Sequence, residues 1–112
     1  GSLAGFYELA NQKARSLGMT STTYASASGL DDVRNLSTAL DQALLARAAL
    51  QNRTFARIVS TRTHWTRWAA PTRAKLWVNH NKMLGTTPGT YGVKTGWTSR
   101  AGGCSARATA SG

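Results

Sequence analysis

Lys94, Thr95 and Gly96 form the stretch of this sequence whose residue types and spacing could handle an anionic substrate. Lysine supplies a positive charge and threonine a hydroxyl donor, and both suit a carboxylate. A glycine beside them lets a ligand backbone approach a strand closely. On a strand, Lys94 and Gly96 point to one face and Thr95 to the other. Because the same three residues also occur in ordinary surface hairpins, the triplet alone leaves both a turn and a carboxylate site open.

The remaining reactive side chains give weaker signals. His64 and His80 lack a neighbouring arrangement of nucleophile and acid, so we expect surface or structural roles for them. The single cysteine, Cys104, excludes an intrachain disulfide and a zinc site with several cysteines. We expect it to be a buried, small apolar side chain at the start of a strand. The sequence therefore predicts neither a metal site nor a cofactor.

Composition limits the class of protein. A chain of 112 residues forms at most one domain, and an apolar share of 41% is enough for a packed core. No run of 18 apolar residues is present, so we expect no transmembrane helix. Fourteen Lys and Arg residues against four Asp and Glu give a net charge of +10, which attracts polyanions in general.

The basic segment 53–82 interleaves cations with three tryptophans, Trp65, Trp68 and Trp77. Such a pattern could bind single-stranded nucleic acid through phosphate contacts and stacking, or an anionic wall polymer. We favour a solvated strand face above packed tryptophans, and we do not expect nucleic acid as a partner.

Hydrophobic periodicity predicts helices in the first half of the chain. Apolar residues recur at helical spacing over 3–17, with Ser2 as N-cap and Gly18 at the C-terminal end. A polar loop is expected over 20–36. Two further helices are predicted at 38–50, capped by Ser37, and at 54–60.

The second half of the sequence has the pattern of β-strands. Alternating residues predict strands at 63–68 and 75–79, followed by a turn region at 85–92. A β-hairpin is expected from 93–98 and 104–110, joined by residues 99–103. Helices followed by strands favour an α+β domain, with a helical part at about 1–60 and a sheet part at about 61–112.

The lysine triplet lies within a longer pattern that resembles the serine-type D-alanyl-D-alanine carboxypeptidases, the penicillin-binding proteins of low molecular mass. Lys-Thr-Gly is one of the motifs of the penicillin-binding protein and β-lactamase group. Six elements follow the family's order over nearly the whole chain, which is far more specific than the triplet. The elements are Phe6 to Tyr24 (F, NQKA, LGM, T and Y), Ser28-Gly29-Leu30, Ser37-Thr38-Ala39 with Asp41, Phe55 to Ser60 (FARIVS), Asn79 to Leu84 (NHNKML), and Gly92 to Cys104 (GVKTGWT and AGGC).

The resemblance implies a fold of the penicillin-binding protein and β-lactamase type. It also implies a type of reaction, nucleophilic catalysis by a serine. In the family a serine of a Ser-x-x-Lys motif attacks the D-Ala-D-Ala amide of peptidoglycan stem peptides, and β-lactams acylate the same serine. Carried over to this chain, Lys94, Thr95 and Gly96 would belong to the catalytic site, with Lys94, Thr95 and Trp97 contacting substrate. The backbone N–H of Trp97 would form half of the oxyanion hole. An enzyme of this kind works outside the cytoplasmic membrane, on the periplasmic or cell-wall side.

The sequence departs from the family pattern at the nucleophile. No serine is followed three residues later by lysine, and no Ser-x-Asn or Tyr-x-Asn triplet occurs. We therefore expect this chain to be the C-terminal portion of a catalytic domain whose partner is its own N-terminal part, and to be inactive in isolation. Two alternatives stay open: an esterase or β-lactamase of the same fold, or a non-catalytic basic module that binds nucleic acid or wall polymer.

The reading frame upstream of Gly1 tests the expectation directly. We expect it to encode Ser-x-x-Lys and then Ser-x-Asn, because the substrate-binding triplet needs a nucleophile on the same domain. Sequencing the gene upstream of this segment provides the measurement. A frame that lacks both motifs would favour the non-catalytic alternative.

Overall fold

A computed structural model of the chain describes residues 1–68 and 73–110. Its elements are the helices α1 (Leu3–Ser16), α2 (Ala39–Leu50) and α3 (Arg53–Ser60), and the strands β1 (Thr63–Arg67), β2 (Ala74–Val78), β3 (Thr90–Thr98) and β4 (Gly102–Thr109). The helices therefore precede the strands, as the sequence predicts. The sheet part predicted for 61–112 includes 69–72 and 111–112, which lie outside the described residues.

The ends of α1 follow local chemistry. Ser2 has extended backbone angles and its hydroxyl accepts a hydrogen bond from the Gly5 N–H, so it is the predicted N-cap. Gly18 adopts a φ of 79°, a conformation that side-chain-bearing residues avoid, and the chain leaves the helix there. Both predictions are confirmed.

The cap of α2 was predicted one residue too early. Thr38, rather than Ser37, accepts a hydrogen bond from the Asp41 N–H, and the helix begins at Ala39. The Ser37 hydroxyl is engaged elsewhere, with the side chains of Thr22 and Gln42. The cap lies at Thr38 because its oxygen is three residues before the free N–H it satisfies.

Two side chains tie the loop after α1 to the helices. The Asn11 amide donates to the carbonyl of Tyr24 at 2.8 Å, and its oxygen accepts from the Tyr24 N–H at 2.8 Å. Asp41 is only 3% exposed, and its carboxylate accepts from the Ser21 N–H at 2.9 Å and the Thr22 hydroxyl at 2.6 Å. These bonds hold the loop at fixed distances from α1 and α2.

The strands form two antiparallel pairs, β1 with β2 and β3 with β4. β3 begins at Thr90, inside the predicted turn region, because Thr90 pairs with Thr109 at the far end of β4. The pairing shifts by one residue between Thr90 and Gly92, as at a β-bulge. β4 likewise begins at Gly102, so only residues 99–101 join the two strands.

α3 packs against β3, and α2 against α3 and β4. Gly92 marks the contact of α3 with the sheet, because a Cβ at that position would lie 3.0 Å from Cγ2 of Val59. The Asn79 amide connects the end of β2 to the end of α3 by donating to the carbonyls of Val59 and Thr61. α2 and both strand pairs are therefore joined through α3.

The buried core is small for the length of the chain. Ala14, Met19, Leu84 and Val93 are the buried apolar side chains among the described residues. The radius of gyration is 16.3 Å, whereas a compact chain of this length has a radius of about 13 Å. Many apolar side chains consequently lie at the surface, and the position of the loop after α1 depends on the polar contacts of Asn11 and Asp41.

Replacement of Asp41 tests that dependence. We expect Asp41→Ala to lower the free energy of unfolding by about 2–3 kcal/mol, because it removes a charged acceptor from two part-buried hydrogen bonds, those of the Ser21 N–H and the Thr22 hydroxyl. Glu8→Ala, at an exposed carboxylate on α1, is the control and should change it far less. Urea unfolding followed by circular dichroism measures both. Equal losses in the two variants would contradict the assigned role of Asp41.

Asp32, an acidic residue in the loop after α1, supports a prediction about pH. The Arg34 guanidinium lies 2.8 Å from the Asp32 carboxylate, and its hydrogen bonds lower the pKa of Asp32 to about 2. Because the folded value is depressed, the stabilisation is present above the unfolded pKa near 3.9 and is lost as the pH falls through about 2.

We therefore expect the Asp32 carboxyl to titrate with a midpoint near 2 in carbon-detected NMR. Arg34→Gln should raise that midpoint towards 3.9, because the charged donor is gone. Arg15→Gln, at an exposed arginine on α1, is the control and should leave it unchanged. An Asp32 midpoint near 3.9 in the unsubstituted chain would contradict the ion pair.

Candidate functional site

The triplet lies in the middle of β3. Lys94, Thr95 and Gly96 pair with Ala106, Ser105 and Cys104 of β4, so the triplet is held in register by the hairpin. β3 has no strand on its other side among the described strands. Its outer edge therefore offers backbone donors and acceptors to an extended peptide.

Side chains alternate between the two faces of β3 beyond Val93. Lys94 and Gly96 lie on one face, and Thr95 and Trp97 lie on the other. No atom lies within 4 Å of the position that a Cβ on Gly96 would occupy. The space in front of Gly96 is therefore open to a ligand backbone.

The site is electropositive and accessible. Lys94 is exposed, and its ammonium donates to the carbonyl of Thr95. Within the described residues, the single ion pair joins Arg34 and Asp32, so Lys94 has no carboxylate partner there. Thr95 is half-buried, and Trp97 is 73% exposed. An anionic group could approach Lys94 and Thr95 without displacing a competing carboxylate.

A cleft of about 530 Å³ lies at the Thr98 end of β3. It is bounded by α1, by the loop after α1 and by the turn of the β3–β4 hairpin. Its walls are mostly apolar or aromatic, and two carboxylates line it: the residues include Phe6, Tyr7, Tyr24, Leu30, Asp31, Asp32, Thr98 and Ala101. Local sequence patterns do not reveal this cleft, because its walls come from four segments that lie far apart along the chain: α1, the loop after it, Leu45 of α2 and the hairpin turn.

The loop and the hairpin turn make direct contact at the rim of this cleft. The Arg100 N–H donates to the Asp31 carboxylate at 3.3 Å, across 69 residues of sequence. The Ala101 N–H donates to the Thr98 hydroxyl at 3.0 Å and tightens the turn. β3 and the cleft are consequently parts of one continuous surface.

Two expectations about single residues need correction. Cys104 is exposed rather than buried, because its cross-strand neighbour is Gly96, which has no side chain to cover it. The tryptophans of the first strand pair do not pack beneath it: Trp65, Trp68 and Trp77 are 64%, 51% and 48% exposed. Lys75 instead places its ammonium 3.9 Å from the centre of the Trp77 ring, a cation–π contact on a solvated face.

His64 and His80 are both exposed and belong to no cluster. Within residues 1–68 and 73–110, no three His, Cys, Asp or Glu side chains come together in a way that could hold a metal ion. None of the helices described is long and apolar enough to cross a membrane.

Comparison with known proteins supports the family resemblance along the whole chain. The family model for D-alanyl-D-alanine carboxypeptidases of peptidase family S11 matches residues 1–112. D-alanyl-D-alanine carboxypeptidase DacF of Bacillus subtilis is 33% identical over 105 residues, which are 93% of this chain and 26% of DacF. DacB2 of Mycobacterium tuberculosis is 38% identical over 81% of this chain and 31% of its own length.

Solved structures agree with these relatives. A serine-to-alanine mutant of the Streptomyces K15 DD-transpeptidase superimposes with a TM-score of 0.91 at 30% identity, over 100% of this chain and 46% of that structure. The chain thus spans about a quarter to a third of the curated relatives and less than half of this solved structure. Its helices and antiparallel strands are part of the fold of the penicillin-binding proteins and β-lactamases. The chain belongs to the D-alanyl-D-alanine carboxypeptidase family.

Proposed function

We propose that this chain forms the substrate-holding part of a serine D-alanyl-D-alanine carboxypeptidase, which removes the terminal D-alanine of peptidoglycan stem peptides. The observation that carries the proposal is the position of Lys94, Thr95 and Gly96 on an exposed, unpaired strand edge of a chain that matches this family throughout. Such an enzyme acts outside the cytoplasmic membrane, where the stem peptides are.

The terminal carboxylate of the substrate binds at Lys94 and Thr95. The Lys94 ammonium needs only to exchange its bond to the Thr95 carbonyl for one to the substrate. Thr95 supplies a hydroxyl donor beside the same strand edge. Open space in front of Gly96 lets the peptide lie close to the strand.

The scissile carbonyl then lies near Trp97. Its oxygen would accept from the Trp97 backbone N–H, and from the N–H of the nucleophile, as negative charge develops. A serine oxygen attacks the carbonyl carbon, the C–N bond breaks and D-alanine leaves after protonation of its nitrogen; water then hydrolyses the acyl-serine. No Ser-x-x-Lys occurs in this sequence, so the attacking serine comes from outside these 112 residues.

Two tests address the proposal with the chain itself. The first is incubation with a labelled penicillin followed by mass spectrometry. We expect no covalent adduct, because the chain holds the binding strand without the nucleophile. A stoichiometric adduct on one of its serines would show that the assignment of the nucleophile is wrong.

The second is an NMR titration with N-acetyl-D-Ala-D-Ala. We expect chemical-shift changes at residues 94–97, and we expect Lys94→Met to raise the dissociation constant about tenfold, the equivalent of about 1.4 kcal/mol. Lys82→Met, at an exposed lysine outside the site, is the matched control and should bind as the unsubstituted chain does. Equal losses in both variants would mean that only net charge attracts the peptide, as in the alternative of a basic binding module.

A further inference from the structure

The antiparallel pair of β1 and β2 has one face that carries both aromatic and cationic side chains. His64 lies opposite Trp77 in the ladder. Two residues further along β1, Thr66 lies opposite Lys75, so the alternation of a strand puts both pairs on the same side. The Trp68 N–H donates to the Arg73 carbonyl at 3.3 Å, which extends the pairing by one step on that side. The tryptophan–lysine face therefore consists of His64, Thr66, Trp68, Arg73, Lys75 and Trp77, of which all except Thr66 are exposed.

Neighbouring side chains hold the Trp77 ring in place on this face. Its indole N–H donates to the Thr66 hydroxyl at 2.9 Å, and the Lys75 ammonium lies 3.9 Å from the centre of the ring. The ring nevertheless remains about half exposed. A ligand therefore meets an aromatic ring that is already fixed, next to a positive charge, and little side-chain entropy is lost on binding.

A second exposed indole lies further along the same face. Trp77 and Trp68 are separated by four steps of the ladder, which is about 13 Å at about 3.3 Å per residue. Lys75 lies between them, and Arg73 lies opposite Trp68. Aromatic rings and cations thus alternate along the length of the strand pair.

The charge around this face is of one sign. All four acidic residues precede residue 42, whereas eleven of the fourteen Lys and Arg residues follow it. Among the residues that the structure describes, the single ion pair joins Arg34 and Asp32, so Lys75 and Arg73 have no carboxylate partner there. The complementary ligand is therefore an anion that also offers surface for the indoles to contact.

We propose that the tryptophan–lysine face binds an acidic polysaccharide. The C–H groups of sugar rings pack on the electron-rich faces of the Trp77 and Trp68 indoles, and carboxylates or phosphates of the polymer bind Lys75 and Arg73. Nucleic acid fits less well, because successive bases stack on aromatic side chains, whereas Lys75 separates these two indoles. This inference goes beyond the proposed function, since the face includes none of residues 94–97.

Four short oligomers test the proposal by calorimetric titration of the chain. An alginate hexamer has sugar rings and carboxylates, a dextran hexamer has rings alone, hexa-L-glutamate has carboxylates alone, and hexathymidylate represents nucleic acid. We expect the alginate hexamer to bind at least about tenfold more tightly than each of the others. In NMR spectra it should shift the indole N–H signals of Trp68 and Trp77.

Matched variants on the two faces of the same strand pair locate the effect. We expect Trp77→Leu and Lys75→Gln each to weaken alginate binding at least about fivefold. Trp65→Leu and Arg67→Gln make equivalent changes on the opposite face and should alter it less than about twofold. Circular dichroism checks folding, and Lys75→Gln keeps the bond between Trp77 and Thr66 if Trp77→Leu does not fold.

Three results would overturn the proposal. Equal affinities for the alginate hexamer and hexa-L-glutamate would mean that charge alone attracts the ligand. Binding to hexathymidylate or to phosphatidylglycerol vesicles, without binding to alginate, would assign the face to another partner. Equal losses from variants on the two faces would mean that the polysaccharide binds elsewhere. The proposed function is measured separately, at residues 94–97 with N-acetyl-D-Ala-D-Ala, and none of these results changes it.

Discussion

The register of β3 against β4, together with the contact of β3 with α3, is the constraint on which the site depends. Eight residue pairs hold the hairpin, and Gly92 lacks the Cβ that would lie 3.0 Å from Cγ2 of Val59. A shift of one residue would turn Lys94 and Gly96 to the opposite face. The open space at Gly96, the exposed ammonium of Lys94 and the free strand edge would then no longer belong to one site.

A second constraint comes from polar contacts that hold the loop after α1. With few buried apolar side chains, the position of the loop after α1 depends on Asn11, which bonds the backbone of Tyr24, and on Asp41, which bonds Ser21 and Thr22. Hydrogen bonds are directional, so these part-buried bonds determine where the loop lies as well as how stable it is. The cleft exists because that loop is held next to the hairpin turn.

Two electrostatic environments lie on one continuous surface. Among the described residues, β3 presents Lys94 without a carboxylate partner, and the cleft presents Asp31 without a cationic side-chain partner. The net charge of +10 attracts polyanions in general, whereas these two side chains create local fields of opposite sign.

The sequence by itself determined the order of helices and strands, the caps at Ser2 and Gly18, the position of the lysine triplet on a strand, and the family. These features depend on local spacing and on residue types, and both can be read directly from the sequence. Tertiary structure alone decided the exposure of Cys104 and of the tryptophans, because exposure depends on what lies opposite, such as Gly96 across from Cys104. It also decided the cleft, whose walls meet through a contact between Asp31 and Arg100 that no local pattern encodes.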